Sequence, residues 1–511
     1  MAEEAGPVKK RSYLENAALL TLTGLALRAA GMFLRVYIAG NMGSAGVGLY
    51  QLIFTAYGVF IALANSGVSV AATRLTAEEL GRNSPAGMLG AMRRMLAVSL
   101  GMGLLAGAAQ GAAADWMARY WLGDVRAALP LKILAPSLPF MAIGAAIRGC
   151  FLALRRVGPN IWAQLLEQTV RIGLVVWLLP GAMAISLRFA CAAVALGSLC
   201  SEGISCLCMG FSWARQRREW KGIRPAPPPR LNRRIGAILL PIGGSRFAES
   251  LLKAAENALV PACLLGLLGR EGAMASYGAL KGMALPLLLF PFSFLGALAT
   301  LLMPEITEAH VRGDTRQLQG LIDRMMLLTG SISVFTGGMF FLFGPALAQL
   351  LYQDAEAGLY IRVLGPVMPF MYLESMVDGV LKGLGEQMAG FRYSLWDSTL
   401  RIGAILLILP RWGMPGLLGI MIFSNIFLCA LTTRRMLQVS GMRARWGHWF
   451  AVPVLLFLPA GLAGVAAANT CGQDAVRLLA GAGAAGLAYL LVWSLSEPGR
   501  VFWQMLRQRK R

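Results

Sequence analysis

Long apolar runs separated by short polar stretches fill this chain from end to end, and each run is long enough to cross about 30 Å of hydrocarbon as a helix. Fourteen can be marked, roughly at 13–39, 46–70, 88–113, 129–152, 159–180, 184–211, 235–267, 274–303, 325–350, 358–381, 391–410, 415–433, 447–468 and 475–495. None carries the apolar–polar alternation over about ten residues that marks a strand of a membrane barrel. The pattern predicts an all-α polytopic membrane protein with about fourteen transmembrane helices.

The pattern also repeats. Pro139-Phe140-Met141 returns as Pro369-Phe370-Met371, Gly149 as Gly379, and Thr169-Val170-Arg171-Ile172-Gly173 as Thr399-Leu400-Arg401-Ile402-Gly403. Leu179-Pro180 returns as Leu409-Pro410, so the displacement is constant across the segment. This predicts two related lobes of six helices. Each has an even number of spans, so the two lobes share one orientation and the repeat is parallel. Between them, residues 213–234 contain Pro225-Ala226-Pro227-Pro228-Pro229 flanked by arginines, a composition that favours an extended, semi-rigid connector. The expected organisation is a first lobe at 1–212, the connector at 213–234, a second lobe at 235–440, and two further helices with a basic tail at 441–511.

Composition narrows the class. With 57% apolar and 14% charged residues, the chain has no soluble-domain character, and its formal net charge of +22 needs a reason. The distribution supplies one. Basic residues concentrate at alternate ends of the helices: Lys9, Lys10 and Arg11, then Arg74, Arg82, Arg93 and Arg94, then Arg155 and Arg156 and the connector, and later Arg312, Arg316, Arg324, Lys382, Arg392, Arg434, Arg435, Arg443, Arg445 and the C-terminal tail. That is the positive-inside signature. It predicts a multi-pass protein of a bacterial cytoplasmic membrane with both termini in the cytoplasm, and it makes nucleic acid unnecessary as a partner. The first apolar run lacks a small-residue cleavage site and is expected to stay as a helix. The eight cysteines (150, 191, 200, 206, 208, 263, 429 and 471) lie mostly within spans and match neither a disulfide framework nor a zinc pattern.

Charges inside the spans carry the functional signal. Arg246, Glu249, Lys253 and Glu256 recur at steps of three and four and so share one helix face. Turned to lipid, these four would cost about 10–14 kcal/mol, so they are expected to face protein or a water-filled space. The plainer reading is a salt-bridge ladder to a neighbouring helix. Arg28 and Arg35 lie seven residues apart on the first span with no acid between them, a pair suited to phosphate oxygens, although Arg35 is near enough to the helix end to snorkel. Lys281 precedes Pro286 in a stretch that predicts a kinked helix. Arg148 and Asp378 occupy matching repeat positions and are candidates for charge balance or ion coupling, as are Glu249 and Glu256. Glu167/Arg171 and Asp397/Arg401 are i, i+4 pairs that can satisfy themselves and are expected to be structural.

Other chemistry is missing from the sequence. There is no Walker A segment, and the two histidines, His310 and His448, fit no metal or triad motif. An enzyme, a metal centre and a cofactor are therefore not expected.

Leu27-Arg28-Ala29-Ala30-Gly31-Met32-Phe33-Leu34-Arg35, followed by Gly46-Val47-Gly48-Leu49-Tyr50-Gln51, resembles the opening of the polysaccharide-transport branch of the multidrug/oligosaccharidyl-lipid/polysaccharide (MOP) flippase superfamily, and within it the stage V sporulation protein B group. Tyr277-Gly278, Gly282 through Pro291 and Leu302 through Ala309 look like that group's signature segment, and Leu259-Val260-Pro261 fits as well. The resemblance implies two lobes around a central cavity that opens alternately to either side. Related flippases carry cavity arginines, one matching Arg28 and another matching Lys281, where lysine keeps the charge and loses the bidentate fork. It implies a flippase for a polyprenyl-pyrophosphate-linked saccharide, a cell-wall, spore-cortex or surface-polysaccharide precursor. Arg28, Arg35, Arg246, Lys253 and Lys281 would hold the substrate, and a coupling cation (Na+ or H+) or the membrane potential would drive transport. A glycan-polymerising membrane enzyme is a candidate partner. The competing reading is an ion-coupled multidrug or organic-cation antiporter on the same scaffold, working through Glu249 and Glu256. A membrane glycosyltransferase would need a larger external loop than any here.

Overall fold

A computed structural model describes residues 10–65, 67–470 and 474–495; Lys9, Cys471 and the basic C-terminal tail lie outside them. Every regular element among the described residues is helical, and the chain is a multi-pass membrane protein. Among the described residues, nine helices are long and apolar enough to cross a membrane. Three of them are two rods joined at a single glycine: Gly43 within Lys10–Asn65 (φ 66°, ψ 176°), Gly269 within Leu231–Gly278 (φ 68°, ψ 179°) and Gly413 within Gln387–Ser440 (φ 58°, ψ −146°). These backbone angles lie in a region that essentially only glycine enters, because a Cβ would clash. Divided at the glycines, the described helices supply one stretch for each predicted span. Three of those stretches are built from shorter helices in series: Val125–Leu134 with Ser137–Ala153 (bent by 41°), the end of Leu231–Gly278 with Ala279–Ala284, Leu285–Leu289 and Phe292–Val311, and Ala355–Leu364 with Met368–Gly383.

The repeat is written into the backbone. Left-handed residues pair 230 positions apart: Asn83 with Gly313, Gly123 with Gln353, and Arg155 with Gly385. Helix caps pair the same way. Ser84 Oγ accepts from Gly87 N and Asp314 Oδ1 from Gln317 N, while Asp124 accepts from Arg126 N and Asp354 from Ala357 N. Each cap satisfies an amide that the first helical turn leaves without a partner. In both halves a threonine hydroxyl ties two helices through a glycine carbonyl, Thr73 Oγ1 to Gly149 O (2.9 Å) and Thr307 Oγ1 to Gly383 O (3.0 Å). The second bond sits one helical turn beyond the position that the 230-residue displacement would give. The same crossing has slid by a turn on both helices, and the contacting faces are kept.

By its contacts the chain forms two compact units, 1–258 and 259–511. The helix Leu231–Gly278 runs across this division, so packing places 235–258 with the first unit and the last two helices with the second. Of the 213–234 segment, helix continues to Arg217 and a 3-10 turn to Trp220; the irregular stretch begins at Lys221. That stretch lies on the first unit. Ala226 N donates to Ala86 O (3.0 Å), Gly90 leaves room for the Ala226 carbonyl, and Arg234 pairs with Glu78 and with Glu79 (3.1 Å). Beneath it, Val68, Ala71, Ala72 and Leu75 pack with Met92, Met95, Phe151, Ile235 and Leu239 into a buried cluster.

In the second unit the two C-terminal helices dock on Thr315–Tyr352. Tyr489 stacks on Phe335 (4.7 Å) and donates to Ser331 O (2.9 Å), and Gly330 admits the backbone of Trp449. The Trp449 ring is fully buried and donates to Asp323 Oδ1 (2.8 Å). Small residues at such contacts let helix backbones approach closely, which is how packing replaces the hydrophobic drive inside a bilayer.

Candidate functional site

Arg28 lies in the middle of the first rod of Lys10–Asn65 and Arg35 two turns before its end at Gly43; both are exposed. On Leu231–Gly278, Arg246 and Lys253 are exposed and Glu249 is half-buried. Lys253 Nζ donates to Glu249 Oε1 (2.7 Å). Glu256, three residues on, is only 6% exposed, and next to it Asn257 Nδ2 donates to Thr55 Oγ1 (3.4 Å). The stripe read as one face therefore divides. Its upper member is packed beside the second rod of Lys10–Asn65, and its cationic part is open. An exposed arginine or lysine at mid-span costs about 2.5–3.5 kcal/mol when it meets hydrocarbon, which sets Arg28, Arg246 and Lys253 apart as candidates for a polar ligand.

Lys281 belongs to the second unit. It lies half-buried in a π-helical segment, Ala279–Ala284, directly before the helix that carries Pro286. The wider π turn is the local form taken by the kink that the proline predicts, and such turns recur at functional positions. Asp378, the repeat counterpart of Arg148, pairs with Lys382 on its own helix.

Arg148 lines a polar cavity of about 330 Å³ inside the first unit, with Leu27, Met141, Gln164, Glu167, Gln168 and Glu202. Arg171 Nη2 reaches Glu167 Oε1 (2.9 Å) and Glu202 Oε1 (3.3 Å), and its Nε donates to Ser201 Oγ (3.2 Å). The matching pair in the second unit is closed. Arg401 binds Asp397 and Ser424 Oγ (2.7 Å), and Ser424 in turn donates to Asp397. Both i, i+4 pairs form, and each recruits a serine from the next helix. Sequence reasoning assigns no role to Glu202, Ser201, Gln164 or Gln168. The spacing of Gln164, Glu167, Gln168 and Arg171 on one helix face was the available signal.

A family model described as "Polysaccharide biosynthesis protein" matches residues 13–310. The chain is 26% identical over 460 residues to stage V sporulation protein B of Bacillus subtilis (strain 168), covering 87% of this chain and 88% of that one. It is 21% identical over 425 residues to the sporulation protein YkvU of the same organism, covering 82% and 93%. Among solved structures it is similar to an inward-facing multidrug resistance MATE family transporter of the MOP superfamily (TM-score 0.64, 15% identity, covering 83% of this chain and 100% of that one). It is also similar to a Pyrococcus furiosus MOP superfamily transporter described by the reverse polarity of its binding pocket (TM-score 0.62, 15% identity, 83% and 95%). With the match covering more than half of its length and the fold shared with MOP transporters, this chain belongs to the polysaccharide biosynthesis protein family.

Proposed function

We propose that this protein is a flippase that moves an anionic polyprenyl-pyrophosphate-linked saccharide across the cytoplasmic membrane by alternating access, and that it carries out no covalent chemistry of its own. The observation that supports this reading is the set of solvent-exposed cations within the spans, Arg28, Arg35, Arg246 and Lys253, in a chain of the polysaccharide biosynthesis family. Guanidinium groups bind phosphate oxygens in bidentate fashion, and two or three of them match the charge of a pyrophosphate. Lys281 is assigned to the same task on its charge and on the resemblance. Glu249, which holds Lys253, sets how much positive charge is offered. The membrane potential or a coupled cation would drive the cycle, since moving one charge across 100 mV is worth about 2.3 kcal/mol.

The test is translocation of a fluorescent undecaprenyl-pyrophosphate-linked saccharide in vesicles, read by quencher access. Arg28→Ala combined with Arg246→Ala should slow it by about a hundredfold or more, since each lost charge-assisted contact is worth roughly 1.5–3 kcal/mol. Wild-type rates in a folded double variant would remove these residues from the site. Ion-coupled efflux of an organic cation instead would turn the assignment to Glu249 and Glu256.

A further inference from the structure

The two halves of the repeat serve as each other's control. Both keep an arginine, an acid four residues before it and a serine from the following helix: Arg171, Glu167 and Ser201 in one, Arg401, Asp397 and Ser424 in the other. That trio is what the shared fold requires. In the second unit Asp397 is buried at 3% exposure. Residues 394 and 398, the counterparts of Gln164 and Gln168, are serines; Asp378 replaces Arg148; and Asn425 follows Ser424 where Glu202 follows Ser201. In the first unit, longer side chains carrying amide, carboxylate and guanidinium groups line the cavity beside the trio.

The cavity's chemistry limits what it could hold. Arg148, Glu167 and Glu202 line it, and Arg171, behind the lining, pairs with both carboxylates, so neither a phosphate nor an organic cation is favoured by net charge. Gln164 and Gln168 lie one turn apart and, among the described residues, make no hydrogen bond within the protein. An amide both donates and accepts through one planar group, which complements neighbouring hydroxyls or an acetamido group that must do the same. A volume of about 330 Å³ lies at the small end of ligand sites.

We infer that this cavity is a saccharide subsite: Gln164 and Gln168, with Arg148 and Glu202, bind a neutral polyhydroxylated sugar unit of the lipid-linked substrate. The inference rests on the flippase reading and adds a second recognition element, separate from the cations that meet the pyrophosphate. Binding of two prenyl-end-labelled lipids to the purified protein tests it, undecaprenyl pyrophosphate bearing a disaccharide and the same lipid without sugar. The wild type should bind the glycosylated lipid about tenfold more tightly, as expected for two additional hydrogen bonds. Gln164→Leu combined with Gln168→Leu should bring the two affinities together and leave the bare lipid's Kd and the unfolding temperature unchanged. Equal affinities in the wild type, or a variant that weakens both lipids alike, would overturn the subsite while leaving the flippase reading standing. Binding of neither lipid would overturn both.

Discussion

Asp397 shows how differently matching acids are held in the two halves of the chain. Its carboxylate is shared by Arg401 and Ser424 and is almost wholly buried, whereas Glu167 shares Arg171 with Glu202 at the wall of a cavity. Asp397→Asn removes the charge that Arg401 and Ser424 both contact, and breaking a buried pair from one side costs about 3–5 kcal/mol. Glu167→Gln leaves Arg171 with Glu202 and should cost clearly less. Thermal unfolding in detergent should show a fall of several degrees for Asp397→Asn and a smaller one for Glu167→Gln; equal falls would contradict the difference in their surroundings. The acid–arginine pairs were legible in the sequence because helix geometry fixes what lies four residues away. Glu202 and Ser201 were not, since they come from another helix, and no spacing rule links residue 171 to residue 202. Gln164 and Gln168 escaped for a different reason: an uncharged amide in a span raises no energetic alarm.

Among the elements, the connector is where composition said least about position. Its prolines foretold an irregular backbone, and the structure has one, but the attachment to the first unit depends on Arg234, Glu78 and Glu79 meeting across more than 150 residues. Hydrogen bonds from Arg234 and Arg74 hold the Glu78 carboxyl below its ordinary value of 4.5. A depressed carboxylate contributes its full stabilisation above about 4.5, and the contribution is lost as pH falls through the lower, folded value. A spin label at Ile223→Cys should therefore be restrained at pH 6 and become more mobile as the pH falls below the ordinary carboxylate range. In an Arg234→Gln background it should be mobile at both. A label insensitive to pH and to Arg234 would mean that the connector is held by Ala226 and the apolar cluster alone. The same scale shows what repetition preserves. Arg156 pairs with Glu219 in one half and Glu386 with Arg435 in the other, so the clasp survives while its charges are exchanged.

For the molecule as a whole, fold class and the fourteen spans followed from apolar run length, because the bilayer imposes one length on every crossing. The two compact units did not follow in the same way: the connector punctuates the sequence at 213–234, while contacts divide the chain at 258. Helix Leu231–Gly278 carries its own apolar residues, Ile235 and Leu239, into the first unit's cluster, and no composition change marks that. The orientation proposed from the basic residues has a direct check. In a variant lacking the native cysteines, Arg224→Cys should react with an impermeant maleimide only from the cytoplasmic side. Val125→Cys, 60% exposed in the native structure, should react only from the outside. The reverse pattern would invert every assignment of inner and outer ends.

The single-glycine joints at Gly43, Gly269 and Gly413 set what such a molecule can do mechanically. Two rods coupled through one residue have no slack between them, so neither can advance past the other by a turn as helices on a long loop can. What remains is rotation about the two soft bonds of that residue. Each joint acts as a pivot of fixed length, and any displacement at one end of a rod is delivered to its partner as a change of angle, with nothing lost to stretch.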